Sequence, residues 1–103
     1  MLTNPENVIL IAIVPRELKD NLVDALMSVP NITGFSLSKI QGFSKEHSQF
    51  NVSEQVVGYK DFYRFEVAHS PTDTQALLNH LRGVTQQQLI RFWVVPVMQM
   101  GVI

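Results

Sequence analysis

The chain has 103 residues, a formal net charge of −1 at pH 7 and a hydrophobic share of 46%, which suits one domain with a modest core. It contains no cysteine, which excludes disulfides, thiol nucleophiles, iron–sulfur clusters and Cys-type zinc sites. Lys and Arg residues form no block, so we expect no surface for nucleic acid or anionic lipid.

The first part of the chain predicts a strand, a helix and a second strand. Residues 8–14 are continuously apolar and rich in β-branched side chains, which is typical of a strand buried on both faces. This run is too short to span a bilayer, so we expect a cytoplasmic protein without membrane insertion. Apolar residues recur at helical spacing over residues 15–28, and apolar and polar residues alternate over residues 35–41, as in a half-buried strand.

The second part repeats this order after a polar stretch at residues 43–60. Residues 62–69 alternate as a third strand, and residues 70–83 predict a helix with a capping Ser70, a proline in its first turn and Gly83 as its stop. Residues 89–97 predict a fourth strand, and Pro96 within it indicates an edge position or a bulge. The buried stripe predicted for the second helix is Ala76, Leu77, Leu81 and Val84.

This order of elements predicts an α+β fold, a ferredoxin-like βαββαβ sandwich. Such a fold has a four-stranded antiparallel sheet with both helices on one face. In a monomer the other face meets water and its residues should alternate, yet the first and fourth strands are apolar at nearly every position. We therefore expect a homo-oligomer built on sheet faces or edges.

The second strand and its exit resemble a known family. The run from Ile32 to Phe43, with a Gly42-Phe43 pair before a long polar loop, is similar to the strand that leads into the T-loop of the PII signal-transduction proteins, the nitrogen regulatory PII-like superfamily. The runs at residues 54–58, 64–67 and 92–101 look more like a proteobacterial family of uncharacterised PII-like domains, often encoded beside heavy-metal efflux systems. The resemblance implies a single PII-like domain over residues 1–103, a T-loop-like insertion at about residues 43–60 and a homotrimer.

The sequence also departs from the PII pattern at the nucleotide site. The loop before the fourth strand, residues 83–88, lacks the glycines and the lysine that approach phosphates in that family. At the T-loop base, Ser44 replaces a glycine and Glu46 replaces the glutamine that serves magnesium and the effector. We therefore expect ligand sensing altered from ATP or ADP and 2-oxoglutarate, with the nucleotide-binding residues left unassigned. Lys39 and Arg64 have two interpretations, a phosphate-binding pair or an ordinary salt link to Glu66 or another acid.

We expect a non-enzymatic regulator, since no nucleophile and base, paired carboxylates or P-loop are recognisable. It would act through its loop on a partner protein, an enzyme or a transporter. The candidate loop residues are Gly42, Phe43, Ser44, Lys45, Glu46, Glu54 and Gln55.

The alternative is a divalent metal-binding or metal-tolerance protein linked to heavy-metal efflux. Glu46 and His47 would then ligate the metal, with Glu54 or a neighbouring subunit's His69 completing the site. Two adjacent ligands are also consistent with a solvated loop. His69 and His80, one at a strand end and one on a helix, are expected to be surface or packing residues.

Overall fold

The computed structural model describes residues 6–32, 34–43, 60–85 and 88–103, with the side chain of Lys60 excluded. These residues form one antiparallel sheet in the order β2-β3-β1-β4 and two helices. The strands are β1 Val8–Pro15, β2 Ser36–Gly42, β3 Lys60–His69 and β4 Arg91–Pro96, and the helices are α1 Lys19–Met27 and α2 Thr74–Arg82. The predicted ferredoxin-like βαββαβ fold is confirmed, and so is the edge position of β4.

Each helix begins through a short 3-10 turn, Arg16–Leu18 before α1 and Pro71–Asp73 before α2. The helical segments are therefore shorter than predicted, and Pro15 ends β1 instead of opening the helix. Ser70 was expected to cap the second helix through its side chain. Its hydroxyl lies instead 3.0 Å from the hydroxyl of Thr72 and makes no cap bond to the backbone.

The core lies between the two helices and one face of the sheet. Phe65 lies at the centre of this core and is 1% exposed. Its ring stacks on that of Phe35, with 6.3 Å between the two ring centroids. Ala76 was expected in the buried stripe of α2 but is exposed, and Leu78 packs against the core in its place. The buried cluster comprises Leu10, Ala12, Val14, Phe65 and Val67 of the sheet with Leu18, Leu22, Ala25, Leu26, Leu77 and Leu81 of the helical layer.

The opposite face of the sheet, called here the open face, has neither α1 nor α2 packed on it. Side chains alternate between faces along a strand, so the register of the pairs identifies its residues. Where β1 crosses this face it presents three isoleucines between Trp93 of β4 and the charged residues of β3. The open face consists of Ser36, Ser38, Ile40, Phe62, Arg64, Glu66, Ala68, Ile9, Ile11, Ile13, Arg91, Trp93 and Val95.

Candidate functional site

The base of the β2–β3 connection lies at one end of the sheet. Gly42 pairs with Lys60 as the last pair of the β2–β3 ladder, so β2 ends and β3 begins side by side. Phe43, the first residue after β2, is 72% exposed. Of the predicted loop residues, the structure describes Gly42 and Phe43, whereas Ser44, Lys45, Glu46, Glu54 and Gln55 lie outside the described residues. His47, the other predicted metal ligand, lies outside them too.

The structure explains why residue 42 is a glycine, which the sequence alone did not. The ring of Phe62 covers it from the neighbouring strand, and a Cβ atom at residue 42 would stand 2.5 Å from Cδ2 of that ring. Real Cβ contacts are essentially never closer than 3.0 Å, so a side chain at this position displaces the ring. An aromatic ring packed on a strand glycine is a known way of holding a strand pair in register. The pair therefore fixes the point at which the connection leaves the sheet.

A small charged cluster lies on the helical side of the same sheet end. The Asp61 carboxylate, 28% exposed, is 3.9 Å from Nη1 of Arg16 and 4.0 Å from Nζ of Lys39. The Lys19 ammonium lies 5.3 Å from the ring centroid of Tyr63, within cation–π range. Exposed ion pairs of this length contribute little stability. The cluster links the start of the helical segment to the two strands that carry the connection.

Lys39 and Arg64 do not form a pair. Lys39 pairs with Tyr63 across the β2–β3 ladder, and Arg64 pairs with Ser38 in the next position. Because side chains of adjacent pairs point to opposite sides of a sheet, the two cations lie on opposite sides. The phosphate-binding interpretation of this pair is therefore wrong. The salt-link interpretation is correct in part, since Lys39 meets Asp61 across the hairpin and Arg64 meets Glu66 along its own strand.

The open face combines an apolar half with a charged half. On β1 and β4, Ile9 and Ile13 are half-buried and Trp93 is 44% exposed, whereas Ile11 between them is 6% exposed. On β3, Nε of Arg64 lies 3.0 Å from Oε1 of Glu66. This Nε atom is screened from solvent, and its contact with the carboxylate lacks hydrogen-bond geometry, so the pair is held by charge. A contiguous apolar patch beside charged residues is a common feature of surfaces that contact other proteins.

The two described histidines make hydrogen bonds within the chain, His69 in the interior and His80 at the surface. His69 is 3% exposed, with Nδ1 3.0 Å from the carbonyl oxygen of Val67 and Nε2 2.7 Å from Oγ1 of Thr74. Both ring nitrogens are thus engaged, which leaves no lone pair for a metal in this arrangement. His80 places Nε2 2.9 Å from the carbonyl oxygen of Ala25 and so connects α2 to the end of α1. The expectation of surface or packing roles is met, since His69 is buried and His80 lies at the surface.

In the described part of the chain, no group of three or more His, Asp or Glu side chains is placed to hold a metal ion. The same residues include no helix that is long and apolar enough to cross a membrane.

Comparisons with known proteins agree with this architecture. The family model described as "Protein of unknown function (DUF3240)" matches residues 4–103. A search of curated proteins found no match. The crystal structure of a DUF3240 family protein from Shewanella baltica OS155 is 33% identical with a TM-score of 0.80, covering 95% of this chain and 97% of that one.

Two more distant structures share the fold. Arabidopsis thaliana PII bound to citrate has 16% identity and a TM-score of 0.67, covering 94% of this chain and 80% of that one. CutA1 from the psychrotrophic bacterium Shewanella sp. SIB1 has 10% identity and a TM-score of 0.74, covering 96% of this chain and 88% of that one. At these identities the likeness extends to the fold, which is the PII-like form of the ferredoxin-like sandwich.

Proposed function

The chain belongs to the DUF3240 family of unknown function, and we propose that it is a non-enzymatic, PII-like regulatory protein that assembles as a homotrimer and acts on a partner protein through the β2–β3 connection. The observation that carries the proposal is the open face, whose apolar half remains accessible in the single chain. The PII fold of the Arabidopsis protein and the PII-like pattern around Gly42 support the regulatory role.

Assembly would cover the open face. Trp93, Ile9 and Ile13 together form an apolar stripe across two strands, and stripes of this kind are normally buried against another surface. The Arg64–Glu66 pair lies beside the stripe and would set the orientation of the neighbouring copy, because charges at an interface discriminate between alternative registers. In a cyclic assembly of identical copies, a neighbouring copy would cover the apolar stripe and also contact the charged pair.

The connection would supply the contact with the partner. Its base belongs to the sheet, since the Gly42–Lys60 pair closes the ladder and the Phe62 ring packs on Gly42. Functional loops are commonly carried in this way, on a fixed scaffold. The proposed contact residues are Gly42, Phe43, Ser44, Lys45, Glu46, Glu54 and Gln55.

Ligand sensing, in this proposal, differs from ATP, ADP and 2-oxoglutarate sensing. The separation of Lys39 and Arg64 onto opposite faces removes one possible phosphate clamp, and residues 83–88 lack the glycines and the lysine of the PII pattern. The bound citrate in the Arabidopsis structure belongs to that protein. A divalent metal held by Glu46 and His47 is the second candidate, which would connect the protein to metal efflux, and its support is the suitability of carboxylate and imidazole ligands.

Two measurements test the proposal. Static light scattering of the full chain should give a trimer mass, and affinity capture with a cross-linker should recover a partner that is lost when a short Gly-Ser linker replaces residues 44–59. The linker variant should keep the trimer mass, which serves as the control for folding. A monomer at micromolar concentration, or a partner retained by the linker variant, would contradict the assembly or the role of the connection, respectively.

Calorimetric titration distinguishes the regulator with altered ligand sensing from the metal-binding alternative. We expect no binding of ATP, ADP or 2-oxoglutarate to the metal-free protein. Binding of Zn²⁺, Cu²⁺, Ni²⁺ or Co²⁺ that is lost in His47→Ala and kept in His80→Ala would favour the metal-binding alternative. Nucleotide binding without metal binding would eliminate that alternative.

A further inference from the structure

The segment after β4, residues 98–103, is apolar and uncovered. It contains no charged residue, and Met98, Val102 and Ile103 are essentially fully exposed, while Met100 is 57% exposed. Just before it, the Val97 amide donates to the carbonyl oxygen of Asn7 at 3.1 Å, which continues the β1–β4 ladder past Pro96. The chain bends at Met98, directly after this hydrogen bond, and the residues that follow are exposed. We call residues 98–103 the exit segment.

An apolar pocket opens between α2 and the start of β4. Its volume is about 210 Å³. The core residues Leu22 and Leu81 form its floor, and Leu89, which is 97% exposed, and Phe92, 44% exposed, stand at its mouth. Arg82 contributes to its lining from the last turn of α2. The opening leads directly to the core, so water in it contacts a largely apolar surface.

The size of the pocket selects its occupant. Sites for drug-sized ligands typically have about 300–1,000 Å³, whereas a cavity of about 150 Å³ accepts a benzene molecule. A volume of about 210 Å³ thus suits one or two large apolar side chains and is too small for a nucleotide. Methionine is well adapted to such sites, because its unbranched side chain fills irregular apolar space.

The open-face assembly leaves this pocket unfilled. Phe92 and Val94 point to the helical side of the sheet, whereas Trp93 between them points to the open face. A neighbour that packs on the open face therefore does not reach Phe92. A second element is therefore needed to fill the pocket, and the exit segment is one apolar element that the described residues leave uncovered.

We propose that the exit segment of one copy docks into the pocket of a neighbouring copy, with Met100 as the anchor. The segment of the same chain is poorly placed, because it leaves from the far end of β4, about 20 Å from the pocket for a six-residue strand. Met100 follows Val97 by three residues, which span at most about 11 Å, so it does not reach the pocket of its own chain while the Val97 amide is bonded to β1. Docking between copies has no such limit of reach, and in a cyclic assembly each copy gives one segment and receives one. The inference rests on the proposed homotrimer.

Cysteine cross-linking tests the docking, since the chain has no cysteine of its own. A tagged Met100→Cys chain is co-expressed with an untagged Leu89→Cys chain, and the purified mixed oligomer is oxidised under mild conditions. We expect a disulfide-linked dimer of one tagged and one untagged chain. The matched control replaces Leu89→Cys with Met27→Cys, which is 73% exposed and lies at the end of α1, away from the pocket.

Three other results would overturn the inference. The first is a cross-link no more abundant than in the Met27→Cys control, although light scattering shows a mixed oligomer. The second is a link that forms within one chain when Met100→Cys and Leu89→Cys are combined in it. The third is a monomer mass for the unmodified chain, which would remove the proposed trimer together with the docking. The first two results contradict the docking but not the trimer, whereas the third contradicts both. Failure of the docking is therefore distinguishable from failure of the proposed trimer.

Discussion

Replacing Trp93 on the open face should weaken the proposed trimer while the fold of each chain is kept. The residue is 44% exposed in the single chain. A buried tryptophan contributes about 150–250 Å² of surface, so roughly 100 Å² of Trp93 remains to be covered by a neighbour. At about 25 cal/mol per Å², this area corresponds to about 2.5 kcal/mol for each protomer. Trp93→Ala should therefore reduce the association constant by roughly two orders of magnitude per protomer.

Sedimentation equilibrium over a range of concentrations measures this effect. The wild-type chain should remain a trimer at concentrations at which Trp93→Ala dissociates, and circular dichroism should show the same secondary structure for both. Met27→Ala is the matched control, since Met27 is 73% exposed but lies on α1, away from the open face. If Trp93→Ala dissociates at the same concentration as the wild type, the open face is not the assembly surface.

Three further substitutions test the described packing, each by urea unfolding. Gly42→Ala should lower the free energy of unfolding by about 1–3 kcal/mol because its Cβ overlaps the Phe62 ring, and a normal stability would show that the ring yields freely; Gly34→Ala, with nothing within 4 Å of its Cβ, is the control. His69→Ala should cost about 2–4 kcal/mol, since it leaves a cavity and removes both ring hydrogen bonds, whereas a loss below about 1 kcal/mol would contradict its burial. Asp61→Asn should change the stability by less than about 1 kcal/mol, as its ion pairs are long and partly exposed, and a larger loss would indicate a stronger network.

The sequence predicted those elements in which hydrophobic periodicity carries a clear signal. In β3, Phe65 and Val67 alternate with Arg64 and Glu66, and the structure buries the first pair and leaves the second pair on the open face. The continuous apolar run of β1 likewise predicted a strand, and its residues contact the core on one side and form the isoleucine row of the open face on the other. Hydrophobic periodicity and composition are sufficient to predict a strand when its two faces differ in polarity, or when both faces are apolar along the whole strand.

Other features depend on the register between strands, which the sequence does not specify. Phe92 and Trp93 are both large and aromatic, so the pattern of β4 does not show which of them faces the helices. Pairing with Ala12 and Ile11, respectively, decides this, and a shift of one residue would exchange them. The same reason explains why Lys39 and Arg64 could be considered a pair from the sequence but lie on opposite faces.

The pocket and the role of Gly42 were missed for a different reason. Both arise from the packing of residues far apart in sequence, α2 against the start of β4 in one case and Phe62 against Gly42 in the other. A signal for the second was present, because a glycine at a strand end opposite an aromatic-rich strand is consistent with such a contact. The predicted metal ligands Glu46 and His47 lie outside the described residues, so their role stays a prediction.

In the proposed function, assembly and partner binding use different parts of the fold, so the effect of one on the other can be measured. The open face lies on one side of the sheet, whereas the connection leaves from one end of β2 and β3. In a cyclic trimer the three connections emerge at equivalent positions, so a partner with repeated contacts would gain from engaging several at once. Dissociation by Trp93→Ala should therefore also weaken partner binding, although Trp93 does not belong to the connection. If the monomeric variant binds the partner as tightly as the trimer, each connection acts alone and the trimer has another purpose.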